Sequence, residues 1–138
     1  MESFRKSLSR LPKWLFSILT ILAILWLTLA PKPLGENPPP LFPGADKIAH
    51  GIMFGALVAM LMLDWQRKNL WIPVKAKRSM IYAFYVSIFG IVIEIAQYNM
   101  GLGRGFEYAD ILADTIGAFL FAFLYLFFQK FWMPTFNK

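Results

Sequence analysis

The chain has 138 residues, 58% of them hydrophobic and 16% charged, with a net charge of +6 and no cysteine. That length allows one domain, the charged share falls below the ~25% of an ordinary soluble domain, and the missing cysteines exclude disulfides and thiolate metal sites. The basic residues flank apolar blocks, which argues against a nucleic-acid surface and for a membrane protein, because flanking charge is how orientation is encoded in membrane chains.

The first apolar block, Trp14 to Ala30, follows Arg5, Lys6, Arg10 and Lys13. A signal peptide begins in the same way, but Thr28-Leu29-Ala30-Pro31 sets a proline just beyond the small residue, a poor cleavage site, so the block reads as an uncleaved anchor. Residues 31–45 carry Pro31, Pro33, Pro38, Pro39, Pro40 and Pro43 and predict a stiff, non-helical loop. The second block runs from Ile48 to Leu63, a basic stretch with Pro73 occupies 64–79, and the third block runs from Met80 to Tyr98. Residues 99–109 hold Gly101, Gly103 and Gly105 and predict a tight turn before the fourth block, Ile111 to Phe128. With flanking residues added, the predicted spans are 14–30, 46–65, 79–98 and 110–129, each near the ~20 residues that cross a hydrocarbon core. Helix is the expected form, because lipid offers no partner to unpaired backbone groups and the blocks lack the alternation of barrel strands. The expected fold is all-α: one four-helix transmembrane bundle over 1–138 with short loops.

The N-terminus, the 64–79 loop and the C-terminus fall on one side of such a bundle. They hold eleven of the 14 basic residues, against Lys32, Lys47 and Arg104 on the other. Positive residues favour the cytoplasmic side, so both termini are expected there. Trp14, Trp65, Trp71, Trp132 and Tyr98 lie near span ends, where amphipathic rings prefer to sit. The acids sort the other way. Glu2 and Asp64 are inside, whereas Glu36, Asp46, Glu94, Glu107, Asp110 and Asp114 are at or beyond the outer end. Topology does not require that arrangement.

Depth and periodicity give the acids a common address. His50 lies one turn into the second span, Glu94 one turn below the outer end of the third, and Asp114 one turn into the fourth. Asp46 and His50 are four apart, Glu94 and Gln97 three, Asp110 and Asp114 four, so each pair shares a helix face. Ser87, Gly90, Glu94 and Gln97 form a polar or small stripe. Gly51, Gly55 and Ala59, and Ala113 and Gly117, repeat small residues at a spacing that lets helices approach. The cluster is expected to face the bundle interior, because charges facing lipid cost several kcal/mol. Two helix starts point outward, and with Arg104 and Lys47 they suit an anionic ligand. Simpler readings stand beside this one. Asp46 and Asp110 can be N-caps, His50 a satisfied interior histidine, Arg104 the ion-pair partner of Glu94, Asp110 or Asp114, and Glu36 and Glu107 solvated loop charges. A buried structural network would account for the whole set.

The ordered pieces Asp46-Lys47-Ile48-Ala49-His50, Glu94-Ile95-Ala96-Gln97, Gly103-Arg104 and Asp110 to Ala118 resemble the VanZ-like family, whose pattern is D-K-x-x-H, E-x-x-Q, G-R and D-x-x-x-N-x-x-G. The likeness runs from Asp46 to Phe128. It departs at Asp114, where the family usually has asparagine, and at Gly51, where it usually has a bulky aromatic residue. The resemblance implies a bacterial inner (plasma) membrane protein, in a family named for a teicoplanin-resistance member and without an established activity. Three functions are compatible with the residues. The first is a binding protein for an anionic lipid or glycopeptide headgroup, such as a lipid-linked cell-wall intermediate, held by Asp46, Lys47, Gln97, Arg104 and Asp114. The second is a membrane-embedded hydrolase or transferase using His50, Glu94 and Asp110, with His50 oriented by Asp46 or Asp110 and Arg104 stabilising negative charge. The third is an oligomeric transporter. No compact metal motif and no cofactor motif occurs, and the oligomeric state is not encoded in any readable signal.

Overall fold

The computed structural model describes residues 2–35, 42–101 and 105–133, and every regular element among them is a helix. These are α1 (Glu2–Arg10), α2 (Leu15–Leu29), α3 (Ala45–Lys68), α4 (Ala76–Asn99) and α5 (Tyr108–Phe128), followed by a 3-10 turn over Gln129–Phe131.

Helix length decides which elements can cross a membrane. The 24 residues of α3 and of α4 reach about 36 Å at ~1.5 Å per residue, more than the ~30 Å of a hydrocarbon core. These two and Tyr108–Phe131 are long and apolar enough to span. The first predicted span behaves differently. Its apolar part, α2, has 15 residues and reaches only about 22 Å. A fourth crossing requires α1 and α2 to act as one span with a 65° bend between them. The charged N-terminal stretch, expected as a plain flank, is itself the helix α1.

The break has local causes. Pro12 has no amide to continue the α1 ladder, and Trp14 adopts a left-handed backbone with φ of 64°. A buried side chain from α3 then fixes the bend. Arg67 donates Nη1 to the carbonyls of Leu8 (3.0 Å) and Leu11 (3.1 Å) and Nη2 to that of Pro12. These carbonyls lie at and just past the end of α1, where helical acceptors go unmatched. Asp64, one turn earlier on α3, accepts Arg67 Nε at 2.6 Å and the Ser17 amide and hydroxyl at 2.8 and 2.7 Å. Both members of this ion pair have fully buried side chains.

At the same end Gln129 clamps the α3–α4 connection. Its Nε2 donates to the Val74 carbonyl (3.1 Å) and its Oε1 accepts the Val74 amide (2.9 Å) and Gln66 Nε2 (2.9 Å).

The apolar core lies between α2, α3, α4 and α5 and includes Ile24, Phe54, Leu57, Val58, Met62, Ala83, Val86, Ile93, Ala118 and Ala122. Many large apolar residues point outward instead, among them Leu22, Phe84, Leu120 and Phe123. That outward apolar surface suits helices solvated by lipid. α3 and α5 approach closely at the glycines anticipated from their spacing. A Cβ on Gly117 would lie 2.6 Å from Gly51 Cα, and one on Gly55 would lie 2.9 Å from the Gly117 carbonyl oxygen.

Candidate functional site

α3 begins after Gly44, whose φ of 83° turns the chain into the helix, and α5 begins after Glu107. Asp46 and Asp110 therefore sit inside the first turns of their helices and not at the caps, and neither helix start has a side-chain cap. An acid in a first turn still favours the helix dipole. With α4 ending at Asn99, the antiparallel order brings Asp46, Lys47, His50, Glu94, Glu107, Asp110 and Asp114 to one end of the bundle.

The residues resolve into two layers. In the upper layer, Lys47 Nζ lies 2.8 Å from Asp46 Oδ2 and 2.6 Å from Asp110 Oδ1, and it also pairs with Glu107 Oε2. The three carboxylates come within 4.8 Å of one another, a spacing compatible with a metal ion. The cation they hold is the Lys47 ammonium. Lys47, expected as a charge open to an anion, is thus already neutralised, and Glu107, expected as a solvated loop charge, is one of its partners.

One turn deeper, His50 Nδ1 lies 3.0 Å from Asp114 Oδ1. His50 is 6% exposed and Asp114 1%. The expected orienting partners of His50 were Asp46 or Asp110; Asp114 takes that place because the glycine crossing draws α5 onto α3 one turn below their outer starts. The His50 ring also stacks on Phe54, with centroids 6.2 Å apart and planes 7° from parallel. Asp114 fits against a gap in α4, since a Cβ on Gly90 would lie 2.7 Å from Asp114 Oδ2. Gly51 has a similar reason: a side chain there would meet the Ala113 carbonyl at 3.3 Å.

Glu94 and Gln97 share a face of α4 and are both buried, but they do different jobs. Glu94 Oε1 accepts the Glu107 amide at 2.6 Å and so ties the start of α5 to α4. Gln97 Nε2 donates to the Thr28 carbonyl of α2 at 2.8 Å, toward the first span. Ser87, on the same stripe, bonds the Ala83 carbonyl of its own helix at 2.8 Å. Arg104 and Glu36 lie outside the described residues.

The cluster at this end is rich in carboxylates. Asp46, Glu94, Glu107, Asp110 and Asp114 stand with Lys47 and His50 among the described residues. The buried Asp64–Arg67 pair at the other end was not anticipated as a site of any kind. Its signal was present: an acid at the end of an apolar block with an arginine three residues on, a spacing that places both on one helix face.

A family model described as VanZ/LLP1 matches residues 3–129 of the chain. No curated protein and no solved structure matches it.

Proposed function

Because the chain belongs to the VanZ/LLP1 family, we propose that it is a multi-pass protein of a bacterial plasma membrane that receives the polar headgroup of a lipid-linked envelope intermediate. The receiving end is the one that holds His50, and it faces away from the cytoplasm. A link to glycopeptide-antibiotic resistance would follow from altered display of such headgroups at the cell surface. The observation that carries the reading is the buried His50–Asp114 pair beneath the Lys47 cluster. Ionisable groups at membrane depth cost several kcal/mol and are kept there for a ligand or a reaction.

Charge balance narrows the headgroup. Lys47 is committed to three carboxylates, so Arg104 is the group assigned to a phosphate or carboxylate of the ligand. The carboxylates suit its hydroxyl, amide or amine donors. A sugar- or peptide-bearing headgroup joined through phosphate meets both demands.

One observation favours a second reading, hydrolysis or group transfer on the same headgroup. A carboxylate bonded to Nδ1 fixes the imidazole so that proton transfer runs through Nε2, and Asp114 stands in that position.

Mass spectrometry of lipids that co-purify with the protein separates the two. For a binder, Arg104→Ala lowers the retained anionic headgroup lipid about tenfold, and more so at high salt. For an enzyme, His50→Ala retains the lipid but carries it unprocessed, where the unaltered protein carries product. If both variants fold and carry the same lipids as the unaltered protein, both readings are wrong.

A further inference from the structure

The end of the bundle opposite His50 carries a groove of different chemistry. Trp65 lies fifteen residues further along α3 than His50, about 22 Å along the helix axis. Around it Ile72, Pro73, Lys75, Lys77, Arg78 and Ile81 line an open cavity of about 460 Å³. A second cavity of about 400 Å³ shares Lys77 and Ile81 with the first and continues along α4 over Met80, Phe84 and Tyr85. A third, of about 450 Å³, shares Trp65 and Arg78 and adds Lys13, Trp14 and Lys68.

The groove has a cationic head and an apolar tail. Among the described residues, the one acid that lines this region is Asp64, and Arg67 holds its carboxylate at 2.6 Å. Lys13, Lys68, Lys75, Lys77 and Arg78 therefore give the head a net positive charge. Arg78 is held in place, with its guanidinium carbon 4.3 Å from the centroid of the Trp65 ring, a geometry that steadies a cation without neutralising it. The tail is outward-facing: Ile81, Phe84 and Tyr85 are all exposed, and they run down the α4 surface toward the middle of the bundle.

We infer that this groove is a binding site for an anionic phospholipid, with the phosphate seated among Lys75, Lys77 and Arg78 and an acyl chain laid along Ile81, Phe84 and Tyr85. Basic residues beside a span attract anionic lipid in general. The shared walls of the two cavities add a fixed place for the headgroup and a path for one chain, which diffuse attraction does not require. A soluble anion would use the head alone.

The test uses the full chain in detergent, titrated with phosphatidylglycerol or phosphatidylcholine and read by native mass spectrometry. Lys77→Gln/Arg78→Gln is compared with Lys6→Gln/Arg10→Gln, which removes the same charge from α1. The site predicts tight retention of phosphatidylglycerol over phosphatidylcholine. The groove variant weakens that retention about tenfold and the α1 variant less than about twofold. Equal losses in the two variants, or no preference between the lipids, overturn the proposal. Displacement of the lipid by inorganic phosphate at millimolar concentration also overturns it, in favour of a soluble-anion site. A second measurement needs no charge change. Quenching of the Trp65 contribution, taken as the difference between the unaltered protein and Trp65→Phe, is expected to be at least about twofold greater with brominated phosphatidylglycerol than with brominated phosphatidylcholine. Equal quenching contradicts the site.

Discussion

Asp114 shows how much a single position depends on what its neighbours lack. Its carboxylate reaches His50 at 3.0 Å because Gly90 has no side chain to occupy the same space. Gly90→Ala is expected to destabilise the protein by about 1–3 kcal/mol, the usual cost of overpacking. Combining it with Asp114→Ala should cost less than the sum, because the closest contact, at 2.7 Å to Oδ2, goes with the carboxylate and only the 3.0 Å contact to the Asp114 Cβ remains; denaturant titration in detergent measures both. The buried pair at the other end makes a sharper case. Arg67→Met leaves Asp64 buried without its ion-pair partner and is expected to cost about 3–5 kcal/mol, whereas Arg67→Met/Asp64→Leu should recover only part of it, because the Leu8, Leu11 and Pro12 carbonyls and the Ser17 amide still lose their partners. At this scale the sequence identified His50, Glu94 and Asp114 as residues of one level, because depth and helical period are properties of a linear chain. It did not identify their partners. Whether His50 meets Asp46, Asp110 or Asp114 depends on a crossing between two helices, and Gln97 turns toward Thr28 because α2 stands on that side of α4.

Among the elements, α3 and α5 carry the architecture, and the contact between their backbones at Gly51, Gly55 and Gly117 is where it is most sensitive. A Cβ on Gly117 would meet Gly51 backbone atoms, which cannot swing aside as a side chain can. Gly117→Ala should therefore cost about 2 kcal/mol or more and, on the proposed function, weaken headgroup retention as well, since it moves Asp114 away from His50. Leu120→Ala, on the lipid-facing side of the same helix, should change both properties little. Small residues at four-residue spacing announced this contact in advance. The first span was harder to read, because its apolar run had an adequate length only when flanking residues were added. Pro12 and the left-handed Trp14 separate those flanks from α2.

For the whole molecule the distribution of charge gives the strongest expectation, that both termini are cytoplasmic. The natural absence of cysteine makes this easy to test with single reporters. Ser3→Cys and Lys130→Cys should react with an impermeant maleimide only after cells are opened, and Lys32→Cys should react in intact cells; the reverse pattern would place the His50 cluster on the cytoplasmic side. Helical class and membrane character were legible because lipid permits so few solutions to an apolar chain of this length. The number of crossings was less legible, since a helix of 15 residues counts as a span only through its partnership with α1.

The guanidinium of Arg67 and the carbonyls it binds are separated by 55 to 59 positions. A nine-residue helix such as α1 has little stability of its own, so its tilt is settled late in biogenesis. About half of the 138 residues must be synthesised before the residue that locks the N-terminal hinge is made. The Trp71 indole, which donates to the Ser9 hydroxyl at 3.0 Å, and the Trp132 carbonyl, which accepts from Arg5, come later still, so the posture of α1 is completed only when the last described residues are in place.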